Sequence, residues 1–263
     1  MAATAETGLN NAQGEPVSSG AGKFLQDVWT VLEMKTIFLL KGWFLWAVRP
    51  LVFPAGIFYW LTILAPDDPD SVRRIMTGAI IFGFSLSATN MLTQQLIQDR
   101  FQGRLKLMIT LPISKAAYGF GVLAFATLTS LPVVILLLAM APFMSVDFEL
   151  TWVFFPLIVP ILFGLAGITF VIASYAPSME AGSIMGNLFG VVLVVISPVF
   201  FTVDQAPTVL RWLGWVSPMR YAADGVMKSL SGSTDVWLEF LILTGFALAT
   251  TSLGLWKMKW RDQ

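Results

Sequence analysis

The sequence contains no cysteine and no histidine. Without cysteine there are no disulfides and no thiolate chemistry. Without either residue there are no Cys/His metal sites and no histidine-based catalytic triads. Charge is scarce too. Only 12% of the 263 residues are Asp, Glu, Lys or Arg, against roughly 25% in an ordinary soluble domain. Sixteen basic residues balance sixteen acidic ones, so no basic field is available to attract nucleic acid, and no nucleic-acid partner is expected. A G-x-x-x-x-G-K-[ST] phosphate loop is also missing. Lys35-Thr36 and Lys228-Ser229 follow methionine rather than glycine. No catalytic residue and no metal ligand is expected in this chain.

Apolar surface is abundant. Hydrophobic residues make up 56% of the chain, and the mean hydropathy is +0.76. One soluble core cannot hide that much, so the expected class is an all-α, multi-pass membrane protein. Six stretches are long and apolar enough to span a bilayer: residues 43–65, 75–97, 117–141, 152–174, 183–203 and 236–256. Between them lie clear breaks, such as Asp67-Asp68-Pro69-Asp70 after the first and Pro177 to Gly182 before the fifth. Residues 1–22 are polar and hold no Lys or Arg, which fits a disordered cytosolic tail rather than a signal peptide. Residues 259–263 form a short tail at the other end.

Residues 23–41 read differently. Phe24, Leu25, Val28, Trp29, Val31 and Leu32 recur at helical spacing against Asp27, Glu33 and Lys35. That pattern predicts an amphipathic elbow helix lying on the cytosolic face, with Lys41-Gly42 as its bend. Orientation follows from the distribution of basic residues. With both termini in the cytosol, eleven basic residues fall inside and five (Arg73, Arg74, Arg211, Arg220 and Lys228) outside. Arg49, near the start of the first span, is expected to snorkel to the cytosolic interface.

Three features are candidates for function or packing. In the second span, Gly83, Ser87, Asn90, Gln94 and Gln98 fall on one face of an ideal helix. Amides are costly in lipid, so this face should meet protein or water, either as a translocation path or as glue between helices. The fifth span opens with Gly182, Gly186 and Gly190, a repeated G-x-x-x-G that predicts close backbone packing at a subunit or bundle interface. Asn187 lies beside that seam. Between the fifth and sixth spans, residues 204–235 predict two short amphipathic helices at the outer leaflet, with Trp212 and Trp215 as anchors.

The segment after the second span carries most of the functional signal. Phe101, Leu105 and Met108 share one face of a helix expected over residues 99–108, among Asp99, Arg100, Gln102, Arg104 and Lys106. Pro112 ends that helix, and Ser114 can cap the next. An apolar tip with a charged rim suits docking into a protein groove. A plain amphipathic connector is the alternative. Here the chain resembles a known family. The pattern D-R-x-x-G-x-L-x-x-x-x-x-L-P-I-S-K, at Asp99, Arg100, Gly103, Leu105, Leu111, Pro112, Ile113, Ser114 and Lys115, resembles the coupling region of type-2 ABC exporter permeases. The drug- and lipid-export branch, which includes the daunorubicin permeases, is the most similar. The string SPVFFTVDQAPTVLRWLGWVSPMRYAADG resembles that family's outer re-entrant region, and the order of elements agrees over residues 23–258. Arg104 stands where the family often has a small hydroxyl residue, and Lys106 where an acidic one is common.

The resemblance implies a permease that binds no cofactor itself. It implies a second permease subunit, identical or paralogous, and two ABC ATPases that hold ATP and magnesium. The complex would sit in the cell membrane among its lipids and export an amphipathic drug, lipid or glycolipid. A lipid-linked glycan or polysaccharide exporter, or a membrane assembly subunit outside the ABC class, is the alternative. An ion-coupled transporter would need buried ionisable groups, yet the span interiors lack Asp and Glu apart from Glu239 near an outer boundary. An intramembrane enzyme has few candidate groups without His, Cys or a carboxylate cluster.

Overall fold

The second apolar stretch forms one helical run, Asp70–Phe101, of 32 residues. At 1.5 Å per residue it extends about 48 Å, well past the roughly 30 Å of a hydrocarbon core. The computed structural model describes residues 20–40, 43–64, 68–144, 148–197, 199–200, 208, 212, 214–215 and 217–257. Ten α-helices are referred to here: α1 (Ala21–Leu40), α2 (Trp43–Leu64), α3 (Pro69–Ser85), α4 (Leu92–Phe101), α5 (Arg104–Thr110), α6 (Lys115–Met140), α7 (Phe154–Tyr175), α8 (Met179–Ile196), α9 (Pro218–Leu230) and α10 (Trp237–Lys257).

Local chemistry sets the helix ends. Asp68 caps α3 by accepting from the Ser71 backbone N–H at 3.0 Å, with Pro69 in the first turn, where its missing N–H costs nothing. The Ser71 hydroxyl donates to the same carboxylate oxygen at 2.8 Å. These bonds hold the Asp68 carboxyl below its ordinary range. Ser114, Ser178 and Ser217 cap α6, α8 and α9 in the same way. α8 stops at Ile196 because Ser197 precedes Pro198 and takes an extended backbone, φ −94° and ψ 135°. α8 therefore begins at Met179, before the expected start at 183, and ends at Ile196, while residues 201–203 of the expected stretch lie outside the described residues.

Between α3 and α4 the helix widens into a six-residue π segment, Leu86–Met91. Hydroxyls compete for its carbonyls. Thr89 donates to Ser85 O at 2.5 Å, Thr93 donates to Thr89 O, and Ser85 donates across to Gly190 O at 2.8 Å.

Among the described residues, four helical runs are long and apolar enough to cross a membrane: Asp70–Phe101, Lys115–Phe143, Phe154–Tyr175 and Trp237–Lys257. They match the second, third, fourth and sixth expected spans. Shorter apolar stretches, Leu51–Leu64 and Met179–Val194, lie where the first and fifth were expected. α1 falls on the expected elbow and begins slightly earlier, at Ala21. It packs along α6, where a Cβ on Gly121 would come within 3.0 Å of Val28 O. Leu25, Trp29, Met34 and Ile37 on its other side stay exposed. The Lys41-Gly42 bend, the Arg49 side chain, residues 1–19, residues 259–263 and most of the first expected outer helix lie outside the described residues. The second outer helix is α9, packed on α3, α7 and α10, and Trp212 and Trp215 are exposed.

Two apolar cores result. The larger joins α3, α6, α7, α9 and α10 around Met76, Ile80, Phe84, Leu137, Leu157 and Val226. The smaller gathers Val31, Leu96, Leu105, Tyr118 and Phe170 at the opposite end of the second span. α7 and α10 approach closely through glycine. A Cβ on Gly167 would lie 2.5 Å from the Thr251 backbone nitrogen, and one on Gly254 would lie 2.6 Å from Gly167 O. Thr250 donates to Gly164 O at 3.0 Å across the same contact.

Candidate functional site

The segment expected as one helix over residues 99–108 is two. α4 ends at Phe101, and Gly103 takes a left-handed backbone, φ 73° and ψ 4°, before α5 starts at Arg104. A side chain at that φ costs roughly 1–2 kcal/mol, so glycine is the natural residue for this corner. The turn separates Phe101 from Leu105 and Met108, so the three do not form a single face. Leu105 is 6% exposed and packs into the smaller core with Val31, Leu96 and Tyr118. Met108 is half-buried against the same core. Leu105 is thus an anchor for α5, and of the apolar tip read from sequence Leu105 and Met108 face inward while Phe101 stays exposed. The exposed residues of this corner are Phe101, Gln102, Thr110, Leu111 and Pro112.

Asp99 and Arg100 also point into the protein. The buried Asp99 carboxylate pairs with the Lys35 ammonium of α1 through Oδ2, and Tyr118 OH of α6 donates to the same oxygen at 2.9 Å. Three helices meet at one carboxylate. Arg100 Nη1 donates to Ala173 O at 3.2 Å, to Ser174 O at 3.0 Å and to Ala176 O at 3.0 Å. Those carbonyls end α7 and lack helical partners, so a guanidinium there satisfies them and opposes the negative pole of the helix. The sequence marked both residues as a charged rim. Their inward role depends on partners 19, 64 and 73 to 76 positions away, which no local pattern reveals.

The polar stripe of the second span runs through the π segment Leu86–Met91. Gly83 packs beneath Val133 and Pro54, and Ser87 is buried without a hydrogen-bond partner for its hydroxyl among the described residues. Gln94 is half-buried, and Gln98 faces a cavity under α1. The Asn90 side chain lies outside the described residues. Asn187 is half-buried on α8.

The glycine seam lies inside the chain. Gly182 meets Ile97, Gly186 meets Thr93, and Gly190 meets Thr89 and Ser85 O, so α8 lies against the π segment and α4. Of the two interfaces left open for this seam, it occupies the one within the bundle.

At the far end of the bundle, Lys228 of α9 donates to the buried Glu239 of α10 at 2.8 Å. Burial raises the Asp224 carboxyl against the pull of Arg220 and Arg74. The Arg220 guanidinium stacks 4.0 Å from the Trp215 ring centroid. Sequence reasoning noticed Glu239 without its partner. A carboxylate in the first turn of a span, following a helix with a lysine, was the available signal.

These features define a multi-pass helical membrane protein in which the long Asp70–Phe101 run, braced at its end by the buried bonds of Asp99 and Arg100, turns into the short helix α5. The chain belongs to the ABC-2 type transporter family, whose model matches residues 26–231, from α1 to the end of α9. It is a transport permease. Permeases of this family generally work with ABC ATPase partners, and ATP is hydrolysed on that separate subunit. Among curated proteins, none matches this chain.

Proposed function

We propose that this chain is the permease subunit of an ATP-driven exporter of the drug- and lipid-export branch. It pairs with a second permease, identical or paralogous, and with two ATPases that hold ATP and magnesium. It has six spans, including α2 and α8, and both termini lie in the cytosol. The substrate is amphipathic: a drug, lipid or glycolipid. Ser87, Asn90, Gln94 and Asn187 are the polar groups proposed for its path.

The observation that carries this reading is the corner at Gly103, within a chain that belongs to the family. A helix longer than a bilayer core ends there and hands over to α5, leaving Phe101, Leu111 and Pro112 exposed. We assign the ATPase contact to that exposed surface. Asp99, Arg100, Gly103, Arg104, Leu105 and Met108 shape and brace it. When the ATPases close on ATP, the corner is displaced. The Lys35–Asp99 pair passes the displacement to α1, and Arg100 passes it to the end of α7, so the two permease halves rock against each other.

The test is co-purification of the ATPase with wild-type chain and with Leu111→Asp at matched membrane levels. A carboxylate forced into an apolar groove loses hydration, so recovery and export should fall together. Equal recovery with unchanged export would remove the coupling role of this corner.

A further inference from the structure

Segments far apart in sequence are tied together at the outer end of the chain. The last carbonyls of a helix have no donors within it, and for α9 residues 149–151 supply them. Glu149 N donates to Leu230 O at 2.9 Å, and Thr151 N donates to Ser229 O at 3.0 Å. The Thr151 hydroxyl also donates to Ser229 O at 3.0 Å, and to Ser233 O at 3.2 Å. In return Gly232, at φ 80°, donates its N–H to Glu149 O at 3.0 Å. Lys228 adds the ion pair to Glu239 of α10. A Cβ on Gly225 would lie 2.8 Å from Leu157 Cδ2 and 3.3 Å from Glu239 Cβ. α9 therefore sits flush on α7 and α10 and is bonded to the segment that leads into α7.

Toward α3 the contacts of α9 are of another kind. Met76 and Ile80 share the larger core with Met219, Ala222 and Val226. Arg73 Nη1 donates to Ser231 Oγ at 3.5 Å, the long end of the hydrogen-bond range. Thr77 Oγ1 donates to Met227 Sδ, a weak acceptor, at 3.6 Å. The pull of Arg74 on Asp224 acts through space. Apolar burial is non-directional, so two faces held by it can slip past one another and stay buried. Pulling residues 149–151 off α9 would instead break five hydrogen bonds and orphan the same carbonyls. The two sides of α9 thus resist displacement differently.

We propose that residues 149–151, α9 and the first turn of α10 move as one rigid block, and that this block slides along α3 when the permease opens to the outside. Sliding of packed helices is a common form of conformational change. The sliding rests on the permease reading, which supplies the driving motion. The block stands on bonds within this chain alone.

The chain has no cysteine, so introduced pairs are its only thiols. Two double variants share one position. Glu149→Cys with Ser231→Cys lies within the block, and Arg73→Cys with Ser231→Cys joins the block to α3. Each is purified with its ATPases and treated with a short bismethanethiosulfonate, before and after trapping with magnesium-ATP and vanadate. Peptide mass spectrometry follows the rate of each cross-link. The 149–231 rate should stay the same, while the 73–231 rate should fall about tenfold as the two thiols lose their effective concentration. A comparable fall at 149–231 would overturn the proposal, as would an unchanged 73–231 rate in a complex that has trapped nucleotide. A chain that holds no ATPase would overturn the permease reading and the sliding with it. The block is then decided by hydrogen exchange on the purified chain alone. The amides of Glu149, Thr151 and Gly232 should exchange at least about tenfold more slowly than free amides. Free exchange at those three would overturn the block, whatever the ATPase does.

Discussion

Lys35 and Asp99, 64 positions apart in sequence, form a buried ion pair that fastens α1 to the end of α4. Their side chains are 12% and 6% exposed. Breaking such a pair from one side leaves a charge without its partner, which costs about 3–5 kcal/mol when burial is complete. Asp99→Asn keeps an acceptor for Tyr118 but strands the Lys35 ammonium. We expect it to lower the melting temperature in detergent more than the double change Lys35→Met with Asp99→Leu, which removes both charges. A double variant no more stable than Asp99→Asn would show that the stranded Lys35 charge carries no penalty.

The corner at Gly103 separates two roles that the sequence had merged. Leu105→Asp places a carboxylate in the smaller core, so it should destabilise the chain by about 2–5 kcal/mol before any partner is involved. Phe101→Asp alters a side chain that is 47% exposed, so stability should stay within about 0.5 kcal/mol while ATPase recovery falls. Melting curves and pull-downs on both variants check this. The assignment fails if Leu105→Asp melts like wild type while losing the ATPase.

Composition and periodicity carried the membrane class and most helix positions, because lipid imposes long apolar runs whatever the tertiary contacts are. The breaks at Asp68-Pro69, Pro112 and Ser178 were legible for the same local reason: capping and proline chemistry act within a few residues. The inward turn of Asp99, Arg100 and Leu105 was not legible. A helical wheel drawn over residues 99–108 assumes one uninterrupted helix, and the left-handed Gly103 voids that assumption. The π segment at Leu86–Met91 was equally hidden, because nothing in the local apolar pattern marks a widened turn. The Gly164, Gly167 and Gly254 contact was missed because its glycines are split between two helices, whereas the repeat in α8 lies within one.

The α8 seam gives a contrast between glycines. A Cβ on Gly186 would lie 2.7 Å from Thr93 Oγ1 and 2.8 Å from Thr93 Cβ, while one on Gly56 would have nothing within 4 Å. Gly186→Leu should push α8 from α4, cost about 1–3 kcal/mol or more through overpacking, and reduce transport. Gly56→Leu should cost much less. Melting temperatures and export measured side by side decide it. Comparable losses at the two positions would mean that the seam is not a tight contact.

The Lys228–Glu239 pair makes stability depend on alkaline pH. Glu239 is buried in the first turn of α10, where a carboxylate also meets the positive pole of the helix. The hydrogen bond to Glu239 holds the Lys228 ammonium above its ordinary pKa of 10.5, with burial acting against it. A lysine raised in the folded state binds its proton more tightly there than in the unfolded chain. Its contribution is complete below the unfolded pKa and fades as pH rises through the folded one. Lys228 is 42% exposed, so solvent screens the pair and its worth is on the order of 1 kcal/mol. Lys228→Met should therefore lower the melting temperature at pH 7 and narrow its gap to wild type above about pH 10.5, as wild type loses the same contribution. Other lysines and tyrosines titrate in that range, so the informative quantity is the difference between the two proteins at each pH. A constant difference from pH 7 to pH 11.5 would mean that the ammonium charge of Lys228 contributes nothing to holding α9 on α10.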